Sequence, residues 1–440
     1  MHYPVNPPQA KITGNIANMR EVHVIKRWIR RFACFTLVVF VIAFLERPES
    51  VPASSPSLTA THNCSEDEYF QCCQWYKDYV AFHQREANKL LSGRSDVRTI
   101  IYECHEALCG GLGDRLTGIA SLFFVAVVTR RALIIDHTKP LPLRELLVPL
   151  SDINWDIAHD LRHLQDRSIH LSLVDKYDKV SADKLFDTAS SVVPVLRVSI
   201  NRYFVGKLIW DKFSQGPYIG SMRRKSNSLC PLLSLSSTSD TFALAYNILF
   251  QPSEAVKKRL SEMRHGLNLY GEDEHFVAVH ARIGGDSVTQ TYGFGWTDPS
   301  RDRLGDHERF IDCAQQKANA VRLEHKNITN MTPVVIFSDN ESFKRLRVDN
   351  FSNVRSLNDT LLFHIDKSDG NDDFNHRGMT DTFAEFVLLT RASCIVASYS
   401  SFSGSASGIS NVLTGKRCFV HFKRCDEEID FFDETEPKLD

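Results

Sequence analysis

Arg282 follows the apolar run "FVAVHA" (Phe276–Ala281) and precedes two glycines and Asp286. A guanidinium at the end of a strand presents a planar fork of donors, which fits phosphate oxygens. His280, two residues earlier, either joins that contact or supports the turn as a satisfied core histidine. A second stretch, "SYSSFSGSAS" (Ser398–Ser407), offers hydroxyls and small side chains where a helix begins. Free N–H groups at such a start attract anions, and Ser401, Phe402 and Ser403 would line it. The plainer reading is an N-cap supplied by Ser401 or Ser403.

A third stretch, "CGGLGDR" (Cys109–Arg115), places Gly110, Gly111 and Gly113 where the chain must turn. Glycine permits positive φ and close approach of a ligand. Arg115 adds a cation, and Asp114 a carboxylate able to take a proton. The alternative is a tight turn that packs a helix on a sheet. The spacing matches neither the P-loop nor the G-x-G-x-x-G dinucleotide turn. Asp339 ends a fourth run, "PVVIFSD", and either accepts hydrogen bonds from a base or ribose or caps the helix starting near Glu341. Asp381 and Glu385 share one helical face, as groups that reach a ribose or as a solvated pair. The chemistry common to these positions is capture of an anionic, hydroxyl-rich ligand.

The elements that must position them alternate. "TIIYE" (Thr99–Glu103) reads as a buried strand. Leu116, Ile119, Ala120, Phe123 and Val127 then recur at helical spacing, and "RALIID" (Arg131–Asp136) reads as the next strand. Strand, glycine turn, helix and strand predict a βαβ unit with a parallel sheet. A second series starts at His275. It comprises "FVAVHA", a helix over His307–His325, "PVVIFSDN", a helix over Asp381–Ser393, "CIVAS", a small-residue loop entering a helix, and "CFVHF". The region from Pro140 to Gly266 gives no clear pattern and is assigned to the first series. The fold expected is α/β, with two doubly wound parallel-sheet domains facing a cleft. Ligands of such sheets lie beyond the carboxyl ends of the strands, where all four stretches fall.

The 440 residues carry a formal charge of −2 and 43% hydrophobic residues, enough for two packed domains. No basic bias points to nucleic acid, and no acidic tail to a solvating role. "FACFTLVVFVIAFL" (Phe32–Leu45) is uncharged, with Lys26, Arg27, Arg30 and Arg31 before it and Glu46 and Glu49 after. With Trp28 and Ile29 it reaches about 18 residues, near the roughly 20 of a spanning helix. The charge bias predicts an uncleaved anchor with a cytoplasmic N-terminus. A cleaved signal peptide is the competing reading, and the long preceding segment disfavours it. The expected organisation is a cytoplasmic tail over 1–31, an anchor over 32–45 and a Pro/Ser-rich stem over 46–63. A first α/β domain over 64–270 and a second over 271–440 follow.

Ten cysteines lie beyond the anchor, permitting up to five bridges whose pairing the sequence leaves open. Sequons begin at Asn63, Asn327, Asn330, Asn340, Asn350 and Asn358. Together these features point to the secretory pathway, with the part beyond the anchor in the lumen of the Golgi or the endoplasmic reticulum.

Taken in order, "GGLGDRLTGIASLFFVAVVTRRALIID", "VAVHARIGGD", "VVIFSDN" and "CIVASYSSFSGSAS" resemble the motifs of the α1,2-, α1,6- and protein O-fucosyltransferase superfamily. The resemblance spans roughly Thr99 to Phe422. It implies a GT-B fold, GDP-fucose as donor and inverting transfer to a glycan or glycoprotein hydroxyl without an essential metal. Arg282 is similar to the arginine that contacts the donor diphosphate, and Ser401–Ser403 to the phosphate loop. Many members carry a second basic residue after that arginine, where this chain has Ile283 and an extra glycine. Linkage therefore stays open between α1,2, favoured by "GLGDR" and "SSFS", and α1,6 or protein O-transfer. Leaving-group stabilisation falls to Arg282 and the serine turn. The base falls to Asp114 first and Asp286 second. The competing functions are a transferase for another nucleotide sugar and a catalytically silent glycan-binding member. A metal-dependent transferase would want a D-x-D sequence, for which Asn371–Asp373 is a poor substitute.

Overall fold

The computed structural model describes residues 74–104, 109–150, 152–157, 168–174, 179–201, 238–271, 275–282, 306–325, 331–345, 351–357, 360, 372–398, 400–414 and 418–429. The chain divides into two units, residues 1–63 and 64–440. The expected tail, anchor and stem lie outside the described residues, as do Asp286 and every sequon except that of Asn340.

Helix α1 (Gln74–Leu91) leads into β1 (Thr99–Cys104), α2 (Leu112–Thr129) and β2 (Ala132–His137). Strand β3 (Leu147–Pro149), β4 (Ser168–Ser172), α3 (Lys179–Ser190) and β5 (Val195–Ser199) follow. Helix α4 (Thr238–Leu249), β6 (Phe250–Pro252) and α5 (Glu254–Gly266) come next. The second series is β7 (Val277–Ala281), α6 (His307–Glu324), β8 (Val334–Ser338), α7 (Glu341–Arg345), β9 (Val354–Ser356), α8 (Asp372–Leu389), β10 (Cys394–Ala397), α9 (Ser401–Thr414) and β11 (Phe419–His421).

Two parallel sheets result. The first has the order β2-β1-β5-β4, the second β11-β10-β7-β8-β9, and β3 pairs antiparallel with β6. The parallel pairing explains the unbroken apolar runs, because helices cover both faces. One buried cluster holds Tyr102, Phe123, Phe242, Phe383, Phe386 and Ala406, drawn from elements of both series. A second joins β7, β8 and β10 to α6, and a third joins α1 to Ile101, Ile134 and Val195 of the first sheet.

Helix α2 is apolar on all sides because it is buried on all sides. It is long and apolar enough by composition to cross a membrane, yet it is a core helix of this fold. Its end is marked by Arg130 in the left-handed region, whose N–H reaches the Ala126 and Val127 carbonyls. The neighbouring Arg131 is wholly buried. Its fork donates to the carbonyls of Thr99, Ala189 and Ser191, tying β1, α3 and the approach to β5 together. Burial, with Arg98 nearby, pulls this guanidinium down to about 10.

Helix α8 begins nine residues before the expected Asp381, because its first turns are polar and hide the period. The unpatterned middle contains β3, β4, α3, β5, α4, β6 and α5. Among the described residues three disulfides join Cys104 to Cys109, Cys313 to Cys425 and Cys394 to Cys418.

Candidate active site

Strand β1 ends at Cys104, whose disulfide reaches Cys109, next to the glycine turn. Gly110 has φ +74°, a conformation that suits glycine and strains other residues. Gly111 caps α2 in extended geometry, and its N–H donates to Asp114 Oδ2 at 3.1 Å. The Asp114 carboxylate therefore sits in the first turn, where the helix dipole favours it. Its placement in the structure is that of a cap at the turn, whereas the sequence suggested a base.

Arg115 also departs from expectation. Its side chain is closed inside the protein, with the residue 2% exposed. The Nε donates to the Gly110 carbonyl at 2.9 Å, and Nη1 reaches His137 Nε2 at 2.8 Å and the Lys139 carbonyl at 2.7 Å. The cation expected to meet a ligand instead holds the turn against the segment after β2. Glycine sequences leave carbonyls that need a donor, and a neighbouring arginine was the available signal.

The second series brings its strand ends to the same place. Arg282 follows β7, and its N–H donates to Ser398 Oγ at 2.9 Å. Ser398 N–H donates to the His280 carbonyl at 3.1 Å, closing the strand end of β10 on that of β7. The half-buried His280 ring stacks on Phe402, centroids 5.2 Å apart, and Phe402 meets Phe386 edge-on at 5.3 Å. Burial, then the charge of Arg282, pushes the His280 ring down to about 3, so it is neutral near pH 7. Its Nδ1 is buried with no hydrogen-bond partner among the described residues.

Helix α9 is capped by Ser400, whose Oγ accepts from the Phe402 N–H at 3.3 Å, and not by Ser401 or Ser403. Ser403 has no exposed surface, and its Oγ donates to the Ser400 carbonyl at 3.2 Å. Its hydroxyl serves the helix start, a correction to its expected contact with ligand. Ser401 and Phe402 remain at the surface of the turn. Gly113 ties the two series together. A methyl group built on it would collide with the Ser401 carbonyl and the Phe402 nitrogen.

The fold is similar to that of Arabidopsis thaliana FUT1. An arginine-to-lysine mutant of that protein, solved in complex with GDP, matches with a TM-score of 0.51 at 16% identity, over 76% of each chain. NodZ α1,6-fucosyltransferase co-crystallised with GDP matches with a TM-score of 0.38 at 11% identity, over 70% of this chain and 91% of that one. Fucosyltransferase NodZ from Bradyrhizobium gives 0.35 at 13% identity, over 70% and 92%. No protein-family model and no curated protein matches the sequence. At these identities the likeness to FUT1 is one of fold.

Asp339 follows β8, but the cap of α7 is made by Asn340, whose Oδ1 accepts from the Phe343 N–H at 2.8 Å. Asp339 is thus left half-buried at the strand end, beside Ser338, which donates to the Ala281 carbonyl at 2.7 Å. Asp381 and Glu385 both turn inward. Arg259 Nε donates to Asp381 Oδ1 at 2.6 Å. Burial pushes the Glu385 carboxyl up against the opposing charge of Lys344, itself buried and donating to Thr360 Oγ1 at 2.8 Å. Of the two readings open in the sequence, a ribose contact or a solvated pair, the second is corrected: both carboxylates belong to an internal network. Ser398 and Ser400 lay within the quoted serine stretch but could not be told from their neighbours, and His137 and Phe386 were not singled out, because a histidine ending an apolar strand and a core phenylalanine carry no distinctive spacing. Among the described residues no group of three or more His, Cys, Asp or Glu is arranged to hold a metal ion.

Proposed function

We propose that the chain is a fucosyltransferase that moves L-fucose from GDP-fucose to a glycan hydroxyl with inversion. One observation carries the reading. The glycine turn of the first series meets the serine turn of the second at Gly113 and Ser401, next to the strand end that bears Arg282. A turn from each half, one cation and a helix start at one point suit a nucleoside diphosphate sugar held between two α/β layers. The ordered motifs support fucose transfer, and the GDP bound to the fold-related FUT1 supports the nucleotide.

In this reading residues 64–270 form the acceptor side and 271–440 the donor side of a GT-B arrangement. Arg282 and the N–H groups at the start of α9 offset charge on the departing GDP. The neutral His280 and Phe402 fix the strand end rather than move a proton. The Asp339 carboxylate accepts hydrogen bonds from the base or ribose. An α1,2 linkage is the reading adopted, with the uncharged anchor and its flanking charge bias holding the catalytic part in the Golgi lumen as a single-pass type II protein.

The test is a glycan-array transfer assay with labelled GDP-fucose, alongside GDP-fucose hydrolysis. Labelled fucose on an arrayed glycan supports the reading. Transfer from a different nucleotide sugar would replace it, and GDP binding without turnover would favour a silent glycan-binding member. In sealed microsomes, added protease should spare the bulk of the chain; digestion of residues 64–440 would overturn the topology.

A further inference from the structure

The imidazole of His137 is held in one charge state by its neighbour. Arg115 Nη1 carries two hydrogens. One goes to the Lys139 carbonyl at 2.7 Å, and the other meets His137 Nε2 at 2.8 Å. A guanidinium donates and never accepts. His137 Nε2 must therefore accept, which makes the ring neutral with its proton on Nδ1. A proton on Nε2 would set two N–H groups head to head and bring one cation against another. Both residues are buried, so water does not screen that repulsion.

Arg115 is also what holds the glycine turn. Its Nε donates to the carbonyl of Gly110, the residue of that turn with positive φ. Three glycines stand within the four residues 110–113, and glycine has the widest choice of backbone conformations. Such a turn keeps one shape only if groups outside it fix its ends. On one side the Cys104–Cys109 disulfide does so, and Cys104 is in register with His137 on the next strand. On the other side the tie runs from Gly110 through Arg115 to His137 and the Lys139 carbonyl. Of the links in that tie, two carbonyls, an arginine and an imidazole, only the imidazole changes charge near neutral pH.

The other charged and titratable groups around His137 come from several elements. Helix α2 supplies Asp114 beside Arg115, and β1 supplies the Tyr102 hydroxyl, two positions before Cys104 on the same face. The segment bonded to β2 at Ile135 carries Asp152 and Asp156. Lys139 is exposed, as are Lys77 and Asp78 at the start of α1. Tyr79 and His83 of α1 meet the other end of β2, at Arg131 and Leu133. Glu103 and Asp136 point to the opposite face of the sheet. We propose that His137 is a positioning residue that makes the glycine turn, and with it nucleotide affinity, sensitive to pH. A proton taken up at Nε2 removes the acceptor, releases Arg115 Nη1 and slackens the hold on Gly110. The hold on the turn stands on these contacts alone; the effect on GDP rests on the fucosyltransferase reading.

The test uses full-length protein with GDP as the probe. His137→Gln keeps an acceptor oxygen in place of Nε2 and does not titrate, whereas His137→Ala removes the acceptor. Labelling cysteine with 13C and glycine with 15N marks the Gly110 amide, because Cys109–Gly110 is the one Cys–Gly pair in the sequence. Between pH 7.5 and pH 5 the Gly110 signal should move in wild type and hold in His137→Gln. Over the same range GDP affinity should fall by roughly threefold or more beyond the fall in His137→Gln. The titration of GDP itself is common to both proteins, and His280, pushed down to about 3, stays neutral throughout. His137→Ala should bind GDP more weakly already at pH 7.5 and lose the wild-type pH dependence. Parallel affinity profiles in wild type and His137→Gln overturn the proposal, and so does a Gly110 signal that titrates equally in both. That comparison decides the matter whether or not His137→Ala folds. Wild type that binds no GDP, with a Gly110 signal that follows His137, upholds the hold on the turn and overturns the donor reading.

Discussion

Gly113 packs directly on the peptide that joins Ser401 to Phe402, with no room for a side chain between them. The obstacle is backbone, which cannot rotate away. Gly113→Ala must therefore move α2 or α9, at a cost of about 1–3 kcal/mol of the kind seen for overpacked cores. Gly111→Ala is the control. Its added methyl would come no nearer than 3.6 Å to Asp114 Oδ2, and φ there is an ordinary −68°. Thermal unfolding and GDP affinity should both fall in Gly113→Ala and hardly change in Gly111→Ala. Equal behaviour of the two variants would show that the contact does not constrain the site.

Asp114 separates a cap from a base. As a cap it gives the Gly111 N–H an acceptor, and Asp114→Ala should cost about 1 kcal/mol of stability. Loss of a general base costs a factor of about 10²–10⁴ in rate. The capping geometry predicts that Asp114→Asn, which keeps an acceptor oxygen, retains most of the turnover. A fall of a hundredfold or more in kcat with unchanged unfolding temperature would return Asp114 to the role of base.

The acid sensitivity of the fold has a named contributor. His83 is fully buried, and its Nε2 lies 2.9 Å from the Leu133 carbonyl, which only accepts. Burial pushes the ring down to about 4, from an ordinary value of 6.5. The native state therefore holds His83 neutral, while the unfolded chain takes up a proton below pH 6.5. The stabilisation is complete above pH 6.5 and is lost as pH falls towards 4. Between pH 6.5 and pH 5 it should decline by about 2 kcal/mol from this group. His280 and His421, pushed down to about 3 and about 4, act in the same direction. In His83→Gln the denaturant midpoint should vary less over this pH range than in wild type. An unchanged slope would show that His83 does not control it.

Much of this site was legible because parallel strands are buried on both faces and end abruptly. The runs Ile100–Tyr102, Val277–Val279, Val334–Phe337 and Cys394–Val396 stand out, and so do the polar residues that terminate them. What the sequence withheld was direction. Arg115 and Arg282 each follow a glycine or strand signal, yet one guanidinium turns inward to carbonyls of its own turn. Capping likewise fell one residue from expectation, at Ser400 and Asn340, because adjacent serines or adjacent Asp and Asn are equivalent until the helix start is fixed. The middle region hid its strands because β4 is half exposed and carries Ser, His and Ser on its outer positions.

Transfer should survive chelation. The charge that a metal would supply is assigned to Arg282 and the start of α9, and the sequence has no D-x-D on a strand-end loop. Assays in excess EDTA should retain at least half of the wild-type rate. Complete loss, restored by Mn²⁺ and not by removal of the chelator alone, would replace the arginine mechanism with a metal-dependent one.

Arg282 carries the heaviest demand. Its backbone is fixed by Ser398 at the end of β7, so the side chain leaves the sheet at a defined point. Charge on the diphosphate grows as the glycosidic bond breaks, and a contact that strengthens along that path lowers the barrier. Loss of such a donor costs about 3–4 kcal/mol, or roughly 10²–10³ in rate. Arg282→Ala should reduce kcat by that factor while unfolding temperature stays near wild type. Arg282→Lys keeps the charge without the planar fork and should remain badly impaired. Ser398→Ala removes the acceptor for the Arg282 N–H and the hydroxyl donor to the His280 carbonyl, leaves the Arg282 side chain in place, and should give an intermediate loss. A structural role for Arg282 predicts a different pattern, in which activity and unfolding temperature fall together in all three variants. Measuring transfer rate, GDP affinity and unfolding on the same purified proteins separates the two, and wild-type turnover in Arg282→Ala would remove the residue from the mechanism.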